Sequence, residues 1–209
     1  MLSDSQIEEL CVRMNIPLAP IKGIAFKDEL KVKDLQYNKS YFINLDDEYD
    51  EKGKLNSGSH WTCFQIVKYP NGEVAPMYFD PFGIGPPEDV KEQIMKFCKK
   101  KLPYTTKDIQ SMMANACGWY CCAYLHYINN FSHRCGDIYE DTEQFLSYFD
   151  DLNKSADFMK NEFILKQFFQ PKDTSMRGGI TSLIDGGSSV NPEEITDDRN
   201  GGMLSPFDE

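Results

Sequence analysis

Residues 119–128 (WYCCAYLHYI) are an apolar run with the length and content of a buried helix. The rest of the chain has to be organised around such a helix. A polar lead-in, residues 110–118 (QSMMANACG), runs directly into it and places Cys117 at its first turn. The unpaired N–H groups and positive dipole end of a helix favour thiolate over thiol there, and they can also hold a developing oxyanion. Gly118 lets backbone and substrate approach closely. Taken alone, the stretch reads equally well as a core helix that happens to carry cysteines, since free cysteine is among the most buried residue types.

The 209 residues suffice for one domain with a real core, and 41% hydrophobic with 13% aromatic content marks a folded globular chain. A net charge of −11 argues against a nucleic-acid-binding face as the main business. Lys96 with Lys99, Lys100 and Lys101 reads as the solvated end of a helix. No apolar run approaches a membrane span, and the N-terminal MLSDSQIEEL is acidic where a signal peptide is basic and then apolar. The seven cysteines are odd in number and lack the spacing of a secreted disulfide framework. A reducing intracellular compartment is the expectation.

Residues 3–14 predict a short amphipathic helix capped by Ser3, with Ile7, Leu10, Cys11 and Met14 inward and Pro17 and Pro20 ending it. A weak strand near residues 23–26 and a stronger one at 40–45 (SYFINL) precede an acidic loop, 46–59, that delivers His60. Residues 60–83 (HWTCFQIVKYPNGEVAPMYFDPFG) hold two apolar runs around a Tyr-Pro-Asn-Gly turn, a strong hairpin signal. Both runs are apolar on both faces, as in interior strands. A three-residue loop centred on Pro70 would set His60 directly opposite Asp80, with Cβ atoms roughly 5 Å apart. Further on, the pattern predicts a helix over 88–100, a short strand over 104–109, and helices over 142–149 and 158–169. Residues 1–171 make the folded domain. From 172 to 209 Gly, Ser, Asp and Pro dominate, periodicity is lost, and a tail is expected.

The chemistry-bearing residues form one set. Cys117 is the candidate nucleophile, and His60 the base that takes its proton and later gives it to a leaving amine. Asp80 would hold the imidazole in one tautomer and stabilise its charged form. Gln110, seven residues before Cys117, can fold back so that its amide joins the Cys117 N–H as an oxyanion hole. Trp61, beside the base, reads either as core or as a wall of a narrow cleft. A metal cluster of Cys117, Cys121, Cys122 and His126 is disfavoured because its pairs face different directions around the helix. No metal or other cofactor is expected; Cys63, Cys121 and Cys122 read as core, and His126 and His133 as structural.

Three patches, GSHWTCF, YFDPFG and Q-x6-C-G-x-x-C-C, carry a resemblance to the adenovirus-type maturation protease. The wider group includes the SUMO-specific proteases, with relatives in virophages and polinton-like elements. The family's His-Trp matches His60-Trp61, its acid-Pro-Phe-Gly matches Asp80 to Gly83, and its Gln before Ala-Cys-Gly matches Gln110 and Cys117. The resemblance implies an α+β cysteine-protease fold, with a central mixed β-sheet, the nucleophile at the N-terminus of a buried helix, and helices packed around it. Asp80 stands where the adenovirus enzymes tend to have Glu, as it does in SUMO-type relatives. The adenovirus enzyme takes DNA and a disulfide-linked peptide as activators. The acidic balance here speaks against DNA, while a peptide activator stays open. Cys98 falls near the activator-linked cysteine by counting, yet it reads as the inner face of a helix.

The tail holds three Gly-Gly pairs, ending at Gly179, Gly187 and Gly202. Gly-rich tails are common, and such pairs also arise by chance in linkers. The family cleaves after Gly-Gly-like sequences with an aliphatic residue two positions earlier, and Met176 and Ile184 fit that rule where Arg199 does not. A Gly-Gly pair threads a slot too narrow for any Cβ, so the slot acts as a filter. The expectation is a monomeric viral thiol protease, in virion and host cytoplasm, that trims capsid or core precursors and its own tail. The alternatives are a deubiquitinase or SUMO-type protease, whose modifiers also end in Gly-Gly, and a binding module that kept the fold and lost the chemistry.

Overall fold

The computed structural model describes residues 1–112, 114–131, 137–154 and 158–170. His133, the expected tail and its cleavage positions Gly179, Gly187 and Gly202 lie outside the described residues.

Helix α1 (Asp4–Arg13) opens on a reciprocal capping box. The Gln6 N–H donates to Ser3 Oγ (3.4 Å) and the Ser3 N–H donates to Gln6 Oε1 (2.9 Å). Its stop is set by Asn15 rather than by Pro17. Asn15 takes the left-handed conformation (φ 52°), and the Ile16 N–H closes back on the Cys11 carbonyl (2.9 Å).

Four strands follow: β1 (Ile24–Phe26), β2 (Ser40–Asn44), β3 (Trp61–Lys68) and β4 (Val74–Phe79). They lie side by side in chain order, β1 parallel to β2 and the other pairs antiparallel, so the sheet is mixed. The hairpin register differs from a loop centred on Pro70. The loop is 70–72, closed by the Tyr69 N–H on Glu73 O (2.9 Å) and the Gly72 N–H on Tyr69 O (2.9 Å). Gly72 supplies the positive φ of 85° that ends such a loop. Cys63 therefore pairs with Phe79, and the same register, continued, sets His60 opposite Phe82 instead of Asp80.

Helices α2 (Glu88–Cys98), α3 (Cys117–Phe131), α4 (Ile138–Ser147) and α5 (Phe158–Gln167) complete the α+β architecture. Helix α4 begins earlier than residue 142 because Asp137 caps it, accepting from the Tyr139 and Glu140 N–H groups (2.8 and 2.9 Å). The expected strand over 104–109 does not form. Only Tyr104 pairs, in a bridge to Tyr78, after which the N–H groups of Ile109 and Gln110 turn to the Pro81 carbonyl.

Side chains alternate across the sheet and build two cores. Phe42, Trp61, Cys63, Ala75, Met77 and Phe79 meet α1, α3, α4 and α5 on one face. Tyr41, Ile43, Phe64, Ile66 and Tyr78 meet α2 on the other. Helix α3 runs across the first face with Tyr120, Cys121, Cys122, Ala123, Tyr124 and Leu125 all at 0% exposure. The Tyr124 ring stacks on Phe79 with centroids 4.4 Å apart. Among the described residues no helix is long and apolar enough to cross a membrane.

Candidate active site

The open end of the β3–β4 hairpin points toward the first turn of α3. His60 precedes β3, and its carbonyl accepts from the Leu45 N–H (3.0 Å). The loop reaching it is drawn in by buried Asn44, whose Oδ1 accepts from the Ser59 and Asp46 N–H groups (3.2 and 3.1 Å). Asp80 follows β4 and opens a tight turn in which the Gly83 N–H donates to the Asp80 carbonyl (2.9 Å). Gly83 sits at φ 69°, and a Cβ there would come within 2.6 Å of the Thr106 backbone, so the turn admits no side chain.

His60 and Asp80 meet across this end as diagonal rather than direct neighbours. The imidazole stacks on Phe82, with centroids 4.6 Å apart. From there Nε2–H donates to Asp80 Oδ1 at 2.9 Å. Oδ1 also accepts from the Phe82 N–H (2.8 Å), and Thr105 Oγ1 accepts from the Asp80 N–H (3.2 Å), so the wholly buried carboxylate cannot swing away. The Cys117 thiol lies near the same ring and, with Asp80, acts on its charge. Nε2 is taken by Asp80, which leaves Nδ1 as the other ring nitrogen. Burial works against a charge on His60, but the hydrogen bond to Asp80 and the nearby Cys117 outweigh it and push its pKa up to about 9.

Cys117 is the first residue of α3 and is 3% exposed. Ala116, ahead of it, gives its carbonyl to the Tyr120 N–H (3.0 Å) but has no side-chain oxygen to cap the first turn. An anion placed there would meet the first-turn N–H groups of the helix. Gln110 is buried in the same corner. The Ile109 and Gln110 N–H groups both donate to the Pro81 carbonyl (2.9 and 3.2 Å), which ties the lead-in to the Asp80 turn. A turn closed by the Ala114 N–H on Ser111 O folds it back, and Gln110 Nε2 donates to Ala114 O (2.8 Å). One N–H of that amide remains for a further acceptor.

The other expected site residues fall elsewhere. Trp61 is buried and its Nε1–H donates to the Leu2 carbonyl (2.9 Å). A Cβ on Gly118 would come within 3.0 Å of the Leu2 side chain, so its bareness admits the N-terminal segment. Both residues pack on Leu2, which no motif had flagged. Cys121 donates to the Trp61 carbonyl (3.4 Å) and Cys63 to the Cys121 carbonyl (3.9 Å), both wholly buried. His126 Nδ1 sits 2.7 Å from the Met14 carbonyl. Cys98 is buried on α2, its thiol toward Lys100 O (3.7 Å). Among the described residues no group of three or more His, Cys, Asp or Glu is placed to hold a metal. A concavity lined by Tyr69, Asn71, Glu73 and Tyr139 lies at the opposite, closed end of the hairpin and shares no residue with this site.

Phe82 and Thr105 also escaped the sequence reading as site residues. Phe82 lies inside the Asp-Pro-Phe-Gly patch and was within reach; Thr105 carries no local signal. The chain matches no protein-family model, and no curated protein matches it.

Proposed function

We propose that the chain is a cysteine endopeptidase of the adenovirus maturation type, cutting viral precursor proteins after Gly-Gly-like sequences. The observation that carries this reading is an imidazole bonded to a buried carboxylate and lying near a cysteine at the head of a buried helix. A thiol peptidase works with a nucleophile, a proton carrier and an orienting acid, and Cys117, His60 and Asp80 are the residues proposed for those roles.

The Cys117 thiolate attacks the carbonyl carbon of the second glycine, and the carbonyl π pair becomes an oxyanion. The Cys117 N–H and the Gln110 amide hold it. The His60 imidazolium gives its proton to the amide nitrogen as the C–N bond breaks, leaving a thioester. Water then attacks the thioester, neutral His60 takes its proton, and sulfur leaves as thiolate. Asp80 keeps the ring in place throughout and stabilises its charged form. The same chemistry would remove the chain's own tail after Gly179 and Gly187, and more slowly after Gly202.

Labelling with a Gly-Gly peptide bearing a thiol-reactive end group tests the reading. The expected result is one label per chain, on Cys117, lost in His60→Ala. Hydrolysis of a Gly-Gly peptide that survives in Cys117→Ala overturns it. Preference for folded ubiquitin-like precursors over short Gly-Gly peptides would move the assignment to a modifier protease. Intact-mass analysis of wild type and Cys117→Ala decides tail removal: both keeping the full tail while the wild type cuts peptide rules it out.

A further inference from the structure

The segment carrying Gln110 belongs to no strand or helix, yet an amide that stabilises an oxyanion must be held to a fraction of an ångström. Its backbone grip comes from two sides. On one, the Gln110 N–H donates to the Pro81 carbonyl (3.2 Å). On the other, the Ile109 carbonyl accepts from Asn161 Nδ2 (3.0 Å). These two groups belong to the same peptide unit, so the rotation of that plane, and with it the direction of the Gln110 side chain, is clamped at both edges.

We propose that Asn161, on α5, is a positioning residue for Gln110. Its side chain is at 0% exposure and uses every group it has. Nδ2 donates to Ile109 O and also to Asp150 O (2.8 Å), while Oδ1 accepts from the Asp150 N–H (2.7 Å). A residue needed only to fasten α5 to the loop at Asp150 would be complete with the last two bonds. The third reaches across to the peptide that opens the candidate oxyanion hole. The Leu152 N–H on Asp108 O (2.8 Å) and Lys107 Nζ on Leu146 O (2.7 Å) brace the same segment further back, leaving Asn161 as the contact nearest Gln110 on that side.

The kinetic consequence rests on the peptidase reading; the structural one does not. The test takes the full chain with Asn161→Ala and Asn161→Ser, each alone and combined with Gln110→Ala. The expected result for a Gly-Gly peptide is kcat lower by about 10- to 100-fold with KM within about threefold, since a displaced donor costs at most what a deleted one does. Iodoacetamide alkylation of Cys117, which needs the sulfur and imidazole but no oxyanion hole, should stay within about twofold of wild type. In the Gln110→Ala background, the Asn161 substitutions should cost nothing further. Losses that add, or alkylation that falls in step with kcat, overturn the proposal. If Asn161→Ala does not fold, Asn161→Ser, which leaves a smaller void, carries the same comparisons. If the wild type cuts no Gly-Gly peptide, the peptidase reading has failed, and amide exchange decides the remainder. Exchange at Ile109 and Gln110 at least about tenfold faster in Asn161→Ser, with α3 unchanged, supports the clamp; unchanged exchange there overturns it.

Discussion

Cys117 and Cys121 stand one turn apart on the same helix, and their surroundings make them different reagents. At the first turn, the sulfur lies near the His60 ring and at the N-terminal end of the helix. At the second, Cys121 is wholly enclosed. Burial, with the nearby Cys63 sulfur adding to it, pushes its thiol well above the ordinary range. Cys122 is held protonated by burial in the same way. The two turns share residue type, helix and sheet face, so on the proposed reading what sets Cys117 apart is the hairpin end that reaches α3, not its being a cysteine.

The sharpest way to break that contrast is to delete each sulfur in turn. Cys117→Ala should lower hydrolysis of a Gly-Gly peptide by about 10⁴-fold or more. Cys121→Ala should leave hydrolysis within about threefold but cost about 1–3 kcal/mol in denaturant melts, as a core truncation does. Loss of activity in both, or in neither, would erase the distinction.

Asp80→Asn comes next, with an expected loss of about 10²- to 10⁴-fold in kcat, since the ring then lacks its charged acceptor. It also has a pH signature. The folded-state pKa of His60 is raised from 6.5 to about 9, so its charge contributes stability in full below 6.5, and that contribution is lost as pH rises toward 9. The stability of wild type relative to His60→Ala should decline across this window. Asp80→Asn should narrow it from the top, because the hydrogen bond to Asp80 is the largest influence raising that pKa. Cys121→Ala should leave the window untouched.

Gly83→Ala tests the turn that holds the acid. A methyl group there meets the Thr106 backbone at φ 69°, a cost of about 1–3 kcal/mol seen in melting, with hydrolysis reduced because Asp80 shifts with the turn. Trp61→Phe should have the smallest effect. It removes the indole donor to Leu2 O, costing about 1 kcal/mol in stability while Cys117 stays the residue that alkylates first.

Much of the architecture was legible because it is written in local patterns. The period of residues 3–14 with Ser3 as its cap marked α1, and the apolar run from Trp119 to Ile128 marked α3. The Tyr-Pro-Asn-Gly turn marked the hairpin. Boundaries went astray where one side chain decided them: Asn15 ends α1 by adopting φ 52°, and Asp137 starts α4 ahead of the first clear periodic residue.

The sequence by itself determined which residues were worth watching: His60, Asp80, Gln110 and Cys117 are chemically distinctive types in distinctive settings. Only the tertiary structure decided how they meet. A hairpin register is set by which turn residue takes positive φ, and Gly72 took it, so His60 faces Phe82 and reaches Asp80 on the diagonal. Thr105, Leu2 and Asn161 carry no motif because their parts are played through hydrogen bonds and contacts to residues far along the chain. No window of sequence contains both partners of such a contact, and packing alone brings them together.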